Sequence, residues 1–298
     1  MNETTRSKHP LSGVIAATLT PLGPDLRIDV DKACAYYEWL LENGCNGLNV
    51  LGTTGEAMSF PVAERAALMR GLASRGLPVH RMMAGTGACA LADAVHLTQV
   101  AVECGFGGVL LMPPFFFEDI SDDGVLAFYD ALARGARLRP SQAYLYNFPK
   151  LTGITFTPRL VGRLLDVIPI AGIKDSSNDL PYCRELHYAF ADLAIFPSSE
   201  EYLRDSKASG LAGCISGTVA LWPHFAGALW NRAQEPQTEP LQVEIASMRA
   251  EVVAHPLVPA VRYLTALQQK DATWEKPVPP LEPLDEAARR ALQSLASV

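Results

Sequence analysis

The stretch IPIAGIKDSS, residues 168 to 177, is an apolar run of strand type that closes on Lys174 and passes directly into small polar residues. Lysine is among the residues least often buried, so a core strand that ends on one needs a chemical reason. Seven more short apolar runs share its form: GVIAATLT (13 to 20), GLNVLG (47 to 52), HRMMAG (80 to 85), GVLLMP (108 to 113), QAYLYN (142 to 147), LAIFPS (193 to 198) and AGCISG (212 to 217). Each is apolar on both faces, as strands covered on both sides are. Amphipathic stretches of helical period separate them, from Val30 to Leu41, Val62 to Ala73, Leu91 to Val102, Gly124 to Ala133, Pro158 to Leu165, Leu180 to Phe190 and Glu200 to Ser209. Eight strand-helix units of this spacing predict an α/β fold, a (β/α)8 TIM barrel rather than an open sheet. The catalytic barrel is expected over residues 1–221, with residues 222–298, which include the turn KPVPPLEP, as a C-terminal helical extension packed on it.

Composition narrows the chemistry. The 298 residues are 49% hydrophobic and 19% charged, the balance of a globule with a large core. A formal charge of −7 argues against nucleic acid or an anionic membrane as partner, since both demand a basic face. Cys34, Cys45, Cys89, Cys104, Cys183 and Cys214 form no CxxC pair and are expected as reduced thiols of a cytoplasmic protein. The opening MNETTRSKHP has no basic segment followed by an apolar one, so no signal peptide is expected. No run approaches the roughly 18 apolar residues of a membrane helix.

In such a barrel the chemistry gathers where the strands end. The polar punctuation falls there: GTTGE (52 to 56) after the second strand, YNFP (146 to 149) after the fifth, KDSS (174 to 177) after the sixth and SGT (216 to 218) after the eighth. Lys174 is the one lysine of seven that closes an apolar strand. Taking its ammonium out of water favours the free amine, the form that attacks a carbonyl. An ion pair with Asp175 or Asp179 is the other reading of the same position. Tyr144 and Tyr146 share one face of their strand, and Tyr146 suits proton transfer if Thr53 or Thr54 orients it, or else a core role with its hydroxyl on a backbone carbonyl. In GTTGE, Gly52 and Gly55 permit unusual backbone angles beside two hydroxyls, a turn suited to a small carboxylate or simply to tight chain reversal.

Taken together and in this order, GTTGE, YNFP and KDSS resemble the dihydrodipicolinate synthase and N-acetylneuraminate lyase family of pyruvate-dependent class I aldolases, over about residues 13 to 235. The resemblance implies that Lys174 forms a Schiff base with the 2-keto acid pyruvate, that Tyr146 relays protons and that Thr53 hydrogen-bonds Tyr146. It also implies that Thr54 and backbone N–H groups hold the substrate carboxylate and that Ile215 flanks pyruvate. The imine would lose a methyl proton to give an enamine that adds to an aldehyde, or forms in reverse by retro-aldol cleavage. No metal or cofactor is implied, because the protonated imine is the electron sink. Family members are commonly dimers of dimers, so a homotetramer is expected, with Phe115 to Phe117 suited to a subunit contact.

Two positions depart from the pattern. Synthases of the family carry an Arg where YNFPKLTG has Leu151, and leucine cannot grip the carboxylate of aspartate semialdehyde. Lys150 is adjacent but expected to point elsewhere. The tyrosine those synthases extend across a dimer contact is Phe116 here, which lacks the hydroxyl. Both changes favour a family member that handles another aldehyde, such as a 2-keto-3-deoxy sugar acid aldolase, a lyase or a related dehydratase, over 4-hydroxy-tetrahydrodipicolinate synthase. The acceptor pocket is then expected from the loop PSSEEY with Gly217 and Thr218, where Ser199, Glu200 and Thr218 would hydrogen-bond the hydroxyls of a polyol; Ser199 and Glu200 alternatively cap a helix. Ser198 stands where many members have Gly, which alters the pocket entrance. Two further readings are an NAD-dependent oxidoreductase, from GTGACA (85 to 90), and a keto-acid sensor without catalysis.

Overall fold

The computed structural model describes residues 10–297, for Ser297 without its side chain; MNETTRSKH lies outside the described residues. Eight strands follow one another in parallel: β1 Gly13–Ala17, β2 Gly47–Val50, β3 Met82–Gly85, β4 Gly108–Leu111, β5 Ala143–Asn147, β6 Ile170–Asp175, β7 Ala194–Pro197 and β8 Gly213–Ser216. They pair in the order β7-β6-β5-β4-β3-β2-β1-β8. The Ala212 N–H donates to the Ile195 carbonyl at 3.0 Å and draws β8 to β7, so the sheet nearly closes into a barrel. Every strand residue is buried, as expected for strands walled by side chains on both faces.

The helices around and beyond the barrel are α1 Val30–Glu42, α2 Val62–Ser74, α3 Leu91–Glu103, α4 Asp122–Ala136, α5 Pro149–Thr152, α6 Pro158–Leu165, α7 Leu180–Ala189, α8 Leu203–Ala208, α9 Pro223–Arg232, α10 Glu239–Val253, α11 Leu257–Gln268 and α12 Glu286–Leu292. Their starts are written locally. Asp29, Ser121, Thr157, Asp179 and Asp285 each accept a backbone N–H of the first turn, and prolines open α6 and α7. The anticipated strands and helices are all present. The main difference is at residues 200–209, where a 3-10 turn at Glu200–Tyr202 precedes a short α8.

Two apolar layers result. Outward residues such as Leu48, Val50, Leu145, Ile173 and Ile195 pack beneath the helices. Inward residues including Ile15, Met83, Leu110, Tyr144, Phe196 and Ile215 fill the barrel. This plug occupies the lower lumen and leaves polar groups at the C-terminal mouth. The helices after β8 reach back to that mouth through buried ions: Arg262 of α11 pairs with Glu56 and donates to the Thr20 carbonyl at 3.0 Å. Arg249 of α10 pairs with Glu200.

Candidate active site

β5 and β6 lie side by side with Tyr146 directly opposite Lys174. A bulge sets which way the lysine faces. Ala143 is opposite Ile170 while Tyr144 is opposite Gly172, so Ala171 is an extra residue in β6. One inserted residue shifts the phase of every side chain beyond it. Ala171 therefore packs in the lumen, Ile173 packs outward and Lys174 turns back inward.

Lys174 is 4% exposed. Its Nζ lies 4.5 Å from the centre of the Tyr146 ring and donates to Asn49 Oδ1 at 3.3 Å. The neighbours are thus a phenol ring and a neutral amide. Asp175 and Asp179, the ion-pair partners left open by sequence, are occupied elsewhere. Asp175 accepts from Asn147 Nδ2 at 2.6 Å and Ser177 Oγ at 2.8 Å, and Asp179 caps α7 by accepting the Tyr182 N–H at 3.0 Å. Burial holds the Asp175 carboxyl above the usual carboxylate range, a shift that the Asn147, Ser177 and Cys183 hydrogen bonds oppose. The same burial, with the adjacent Asp175 charge, pushes the Cys183 thiol up.

The Tyr146 hydroxyl sits between two others. Thr53 Oγ1 is 3.4 Å away, and Ser176 Oγ donates to it from 3.5 Å. Thr53 is exposed at the cleft, whereas Thr54 is buried and packs on Gly217; a Cβ at Gly217 would come within 3.0 Å of Thr54 Oγ1. Gly52 stands behind this turn. A Cβ there would sit 2.8 Å from Asn49 Oδ1, so the glycine makes room for the amide that meets Lys174. Glu56 ends the turn in the left-handed region, φ 53°, and is held by Arg262 and by the Val278 N–H at 2.7 Å.

These groups open on a cleft of about 810 Å³ whose wall includes Lys174, Tyr146, Thr53, Thr54, Ile215 and Gly217. Ser176, Ser198, Glu201 and Arg249 also line it. Of the residues anticipated from sequence, Gly52, Ser199 and Thr218 are not on this wall. Gly52 lines a neighbouring apolar cavity of about 480 Å³ that meets the cleft at Thr53 and Tyr146. Ser199 is buried, and its Oγ accepts the Glu201 N–H at 3.2 Å, the capping role that was the alternative for it. Thr218 is fully buried and bonds Glu200; its Oγ1 also lies 2.7 Å from Arg249 Nη1. Glu200 is equally engaged, and neither lines the cleft. The reason is a partner distant in sequence: Arg249 binds Glu200, Ser216 and Thr218 together. A buried cation recruits every carboxylate and hydroxyl in reach.

Lys150 and Leu151 point in different directions: Lys150 lies on the cleft wall, while Leu151 lines the neighbouring cavity and is 47% exposed. Asn49, Ser176 and Arg249 were missed. Asn49 had a sequence signal, one amide inside the otherwise apolar GLNVLG. Ser176 lay within a quoted motif without a role. Arg249 sits in a helix whose sequence offers no sign of the mouth. Among the described residues no group of three or more His, Cys, Asp or Glu is arranged to hold a metal ion, and no helix is long and apolar enough to cross a membrane. The glycines of GTGACA serve packing: a Cβ at Gly87 would fall 2.8 Å from Met112, and one at Gly85 would strike the Leu51 carbonyl. They let neighbouring chain segments approach closely at and just beyond the end of β3, and that use of the glycines disfavours a dinucleotide cradle.

The Dihydrodipicolinate synthetase family model matches residues 10–298. A DapA-like lyase of Chloroflexus aurantiacus is 33% identical over 223 residues, 74% of each chain. An N-acetylneuraminate lyase of Rhizobium meliloti is 32% identical over 220 residues, covering 74% of this chain and 71% of that one. Among solved structures, the dihydrodipicolinate synthase of Agrobacterium tumefaciens superposes with a TM-score of 0.86 at 28% identity, over 96% of this chain and 98% of its own. The chloride-inhibited dihydrodipicolinate synthase of Acinetobacter baumannii, complexed with pyruvate, does so with a TM-score of 0.85 at 27% identity, over the same shares. With a matching family model over nearly its whole length, a barrel of the same build and a lysine at the mouth of β6, the chain belongs to the dihydrodipicolinate synthetase family.

Proposed function

We propose that this protein is a class I aldolase that handles pyruvate as a Schiff base on Lys174 and releases or captures it from a 2-keto-3-deoxy sugar acid. The observation that carries the reading is Lys174 itself: a buried amine beside a phenol and an amide, with no carboxylate paired to it among the described residues. In the condensing direction Lys174 Nζ attacks the keto carbon, the carbonyl oxygen leaves as water, and a protonated imine remains. Loss of a methyl proton then gives the enamine, whose carbon forms the new bond to the aldehyde. Tyr146 is the proton carrier of these steps, with Thr53 and Ser176 as the hydroxyls that orient it. Thr54 and the N–H groups of its turn hold the keto-acid carboxylate, and Ile215 forms an apolar side of the pyruvate site. The lyase name of the Rhizobium relative accords with this direction.

Ser198, Glu201 and Ser176 offer mixed donors and acceptors to a hydroxylated acceptor. The second reading is condensation with aspartate semialdehyde, favoured by the cationic Lys150 on the cleft wall. Leu151 counts against it, since a lone ammonium is a poorer clamp for a carboxylate than a guanidinium fork. Exposed Phe116 and Phe117, 73% and 68% accessible, support a homotetramer through this edge, and six free cysteines support a cytoplasmic setting. A screen for pyruvate released from 2-keto-3-deoxy sugar acids tests the proposal. Release from one or more is expected. Consumption of pyruvate with aspartate semialdehyde, and release from none of the sugar acids, would overturn it in favour of the synthase.

A further inference from the structure

The mechanism leaves one buried acid without a task, and its contacts give it one. Asn147 and Asp175 are the next residues after Tyr146 and Lys174, and they too stand opposite each other across β5 and β6. Strand alternation sends the first pair into the lumen and the second to the outer face, so the two pairs share one short piece of backbone. Asn147 Nδ2 donates to Asp175 Oδ1 at 2.6 Å, with both residues at most 1% exposed. The remaining lone pairs are filled. Asp175 accepts Ser177 Oγ at 2.8 Å and Ser177 N at 3.3 Å, and Cys183 Sγ lies 3.5 Å from it. Asn147 Oδ1 accepts the Phe156 N–H at 3.0 Å, and its backbone carbonyl accepts the Ser176 N–H at 2.8 Å.

The network therefore spans both reactive strands and also the loop that carries Ser176, the hydroxyl that donates to Tyr146. Among the described residues no cation forms an ion pair with Asp175, whose carboxyl is already disfavoured as an anion by burial. A buried carboxylate of that kind is costly to keep for packing alone. We infer that Asn147 and Asp175 are positioning residues that fix the placement of the Lys174 amine against the Tyr146 phenol from the far side of the sheet. This rests on the imine reading of Lys174.

The polarity of the pair makes the inference testable by exchange. Asn147→Asp sets two carboxylates against each other, and Asp175→Asn turns an amide donor toward the Ser177 N–H. The double variant Asn147→Asp/Asp175→Asn restores every hydrogen bond, because the new amide at 175 donates to a carboxylate at 147 that still accepts from Phe156. Turnover would be measured per Lys174 that borohydride traps with pyruvate, so that unfolded molecules do not count. A misplacement of the reacting groups by an ångström costs on the order of a hundredfold, so the Asn147→Asp variant should lose about that much turnover per trapped site. Asp175→Asn should lose less, and the exchange should recover to within several-fold of the parent. The pyruvate concentration for half-maximal trapping should move little, since the turn that holds the carboxylate is untouched. Singles with full turnover per trapped site, or an exchange variant no better than Asn147→Asp, would overturn the inference while leaving the imine intact. A parent protein that traps no pyruvate on Lys174 would overturn the imine reading and this inference with it.

Discussion

The mouth of the barrel holds buried cations of two kinds. Arg262 and Arg249, which tie α11 and α10 to the loops after β2, β7 and β8, each sit on a carboxylate, Glu56 and Glu200. Lys174, some strands away in the same mouth, faces an amide and a phenol. All three are at least nine-tenths buried, so solvation does not separate them. The difference is the anion. Arg262 and Arg249 offset their lost hydration with a carboxylate, and the buried Arg65 of α2 does so with the Gly85 carbonyl, to which it donates at 3.0 Å. A nitrogen kept for attack on a carbonyl must be able to give up its proton, which a carboxylate alongside would prevent.

That contrast can be broken at several points, and the largest effect is at the phenol. Tyr146→Phe removes the group that moves protons but leaves the amine and its amide partner, so turnover should fall by about 10² to 10⁴. Trapping of pyruvate by borohydride should fall far less. Equal losses in both would show that the phenol is needed for the imine itself, and the division of labour drawn here would fail.

At the paired site, Arg262→Met strands Glu56 as a lone buried anion. Unfolding by denaturant should then report a loss of about 3–5 kcal/mol, and Arg262→Met/Glu56→Gln should regain much of it. Because Glu56 ends the turn that bears Thr53 and Thr54, the single variant should also bind pyruvate more weakly. A variant as stable as the parent would mean that the pair is not what anchors the C-terminal helices to the mouth.

Asn49→Asp converts the reactive site into the architectural kind. The new anion pairs with the amine and opposes its attack on a carbonyl, so trapping of pyruvate at Lys174 at neutral pH should slow by about tenfold or more. Trapping at the parent's rate would indicate that Asn49 is not the group governing the amine.

The smallest effect belongs to the exposed periphery, where Lys32 meets Asp271 at 2.5 Å. The Lys32 hydrogen bond, then Thr273, holds the Asp271 carboxyl down to about 2. A depressed carboxylate contributes stability above the unfolded value near 4 and loses it as pH falls toward 2. Since that side chain is more than a third accessible, solvent screens the pair, and Asp271→Asn should cost under about 1 kcal/mol at neutral pH. The cost should vanish near pH 2. A loss that persisted there would have a source other than the ion pair.

The legible and illegible parts of the molecule divide along the same lines. Strands and helices could be read because their periods are local, and Lys174 stood out because it ends an apolar run. The bulge at Ala171 could not be read, since one extra residue in IPIAGIKD leaves its composition unchanged while deciding which way Lys174 points. Thr218 and Glu200 were given to the substrate because their residue types suit hydroxyls. Their actual partner, Arg249, lies 31 and 49 residues further along the chain, and only the packing of α10 brings it there. Asn49 was passed over because a single amide in a core strand gives no hint of a lysine 125 residues away.

The most direct test of the unpaired amine is intact-mass and peptide-mapping analysis after pyruvate and borohydride. The imine chemistry requires one added mass of about 72 Da per chain. It must be found on the peptide bearing Lys174 and be missing from Lys174→Arg. An adduct that survives in Lys174→Arg, or a parent protein that gains no mass while cleaving its substrate, would contradict the account.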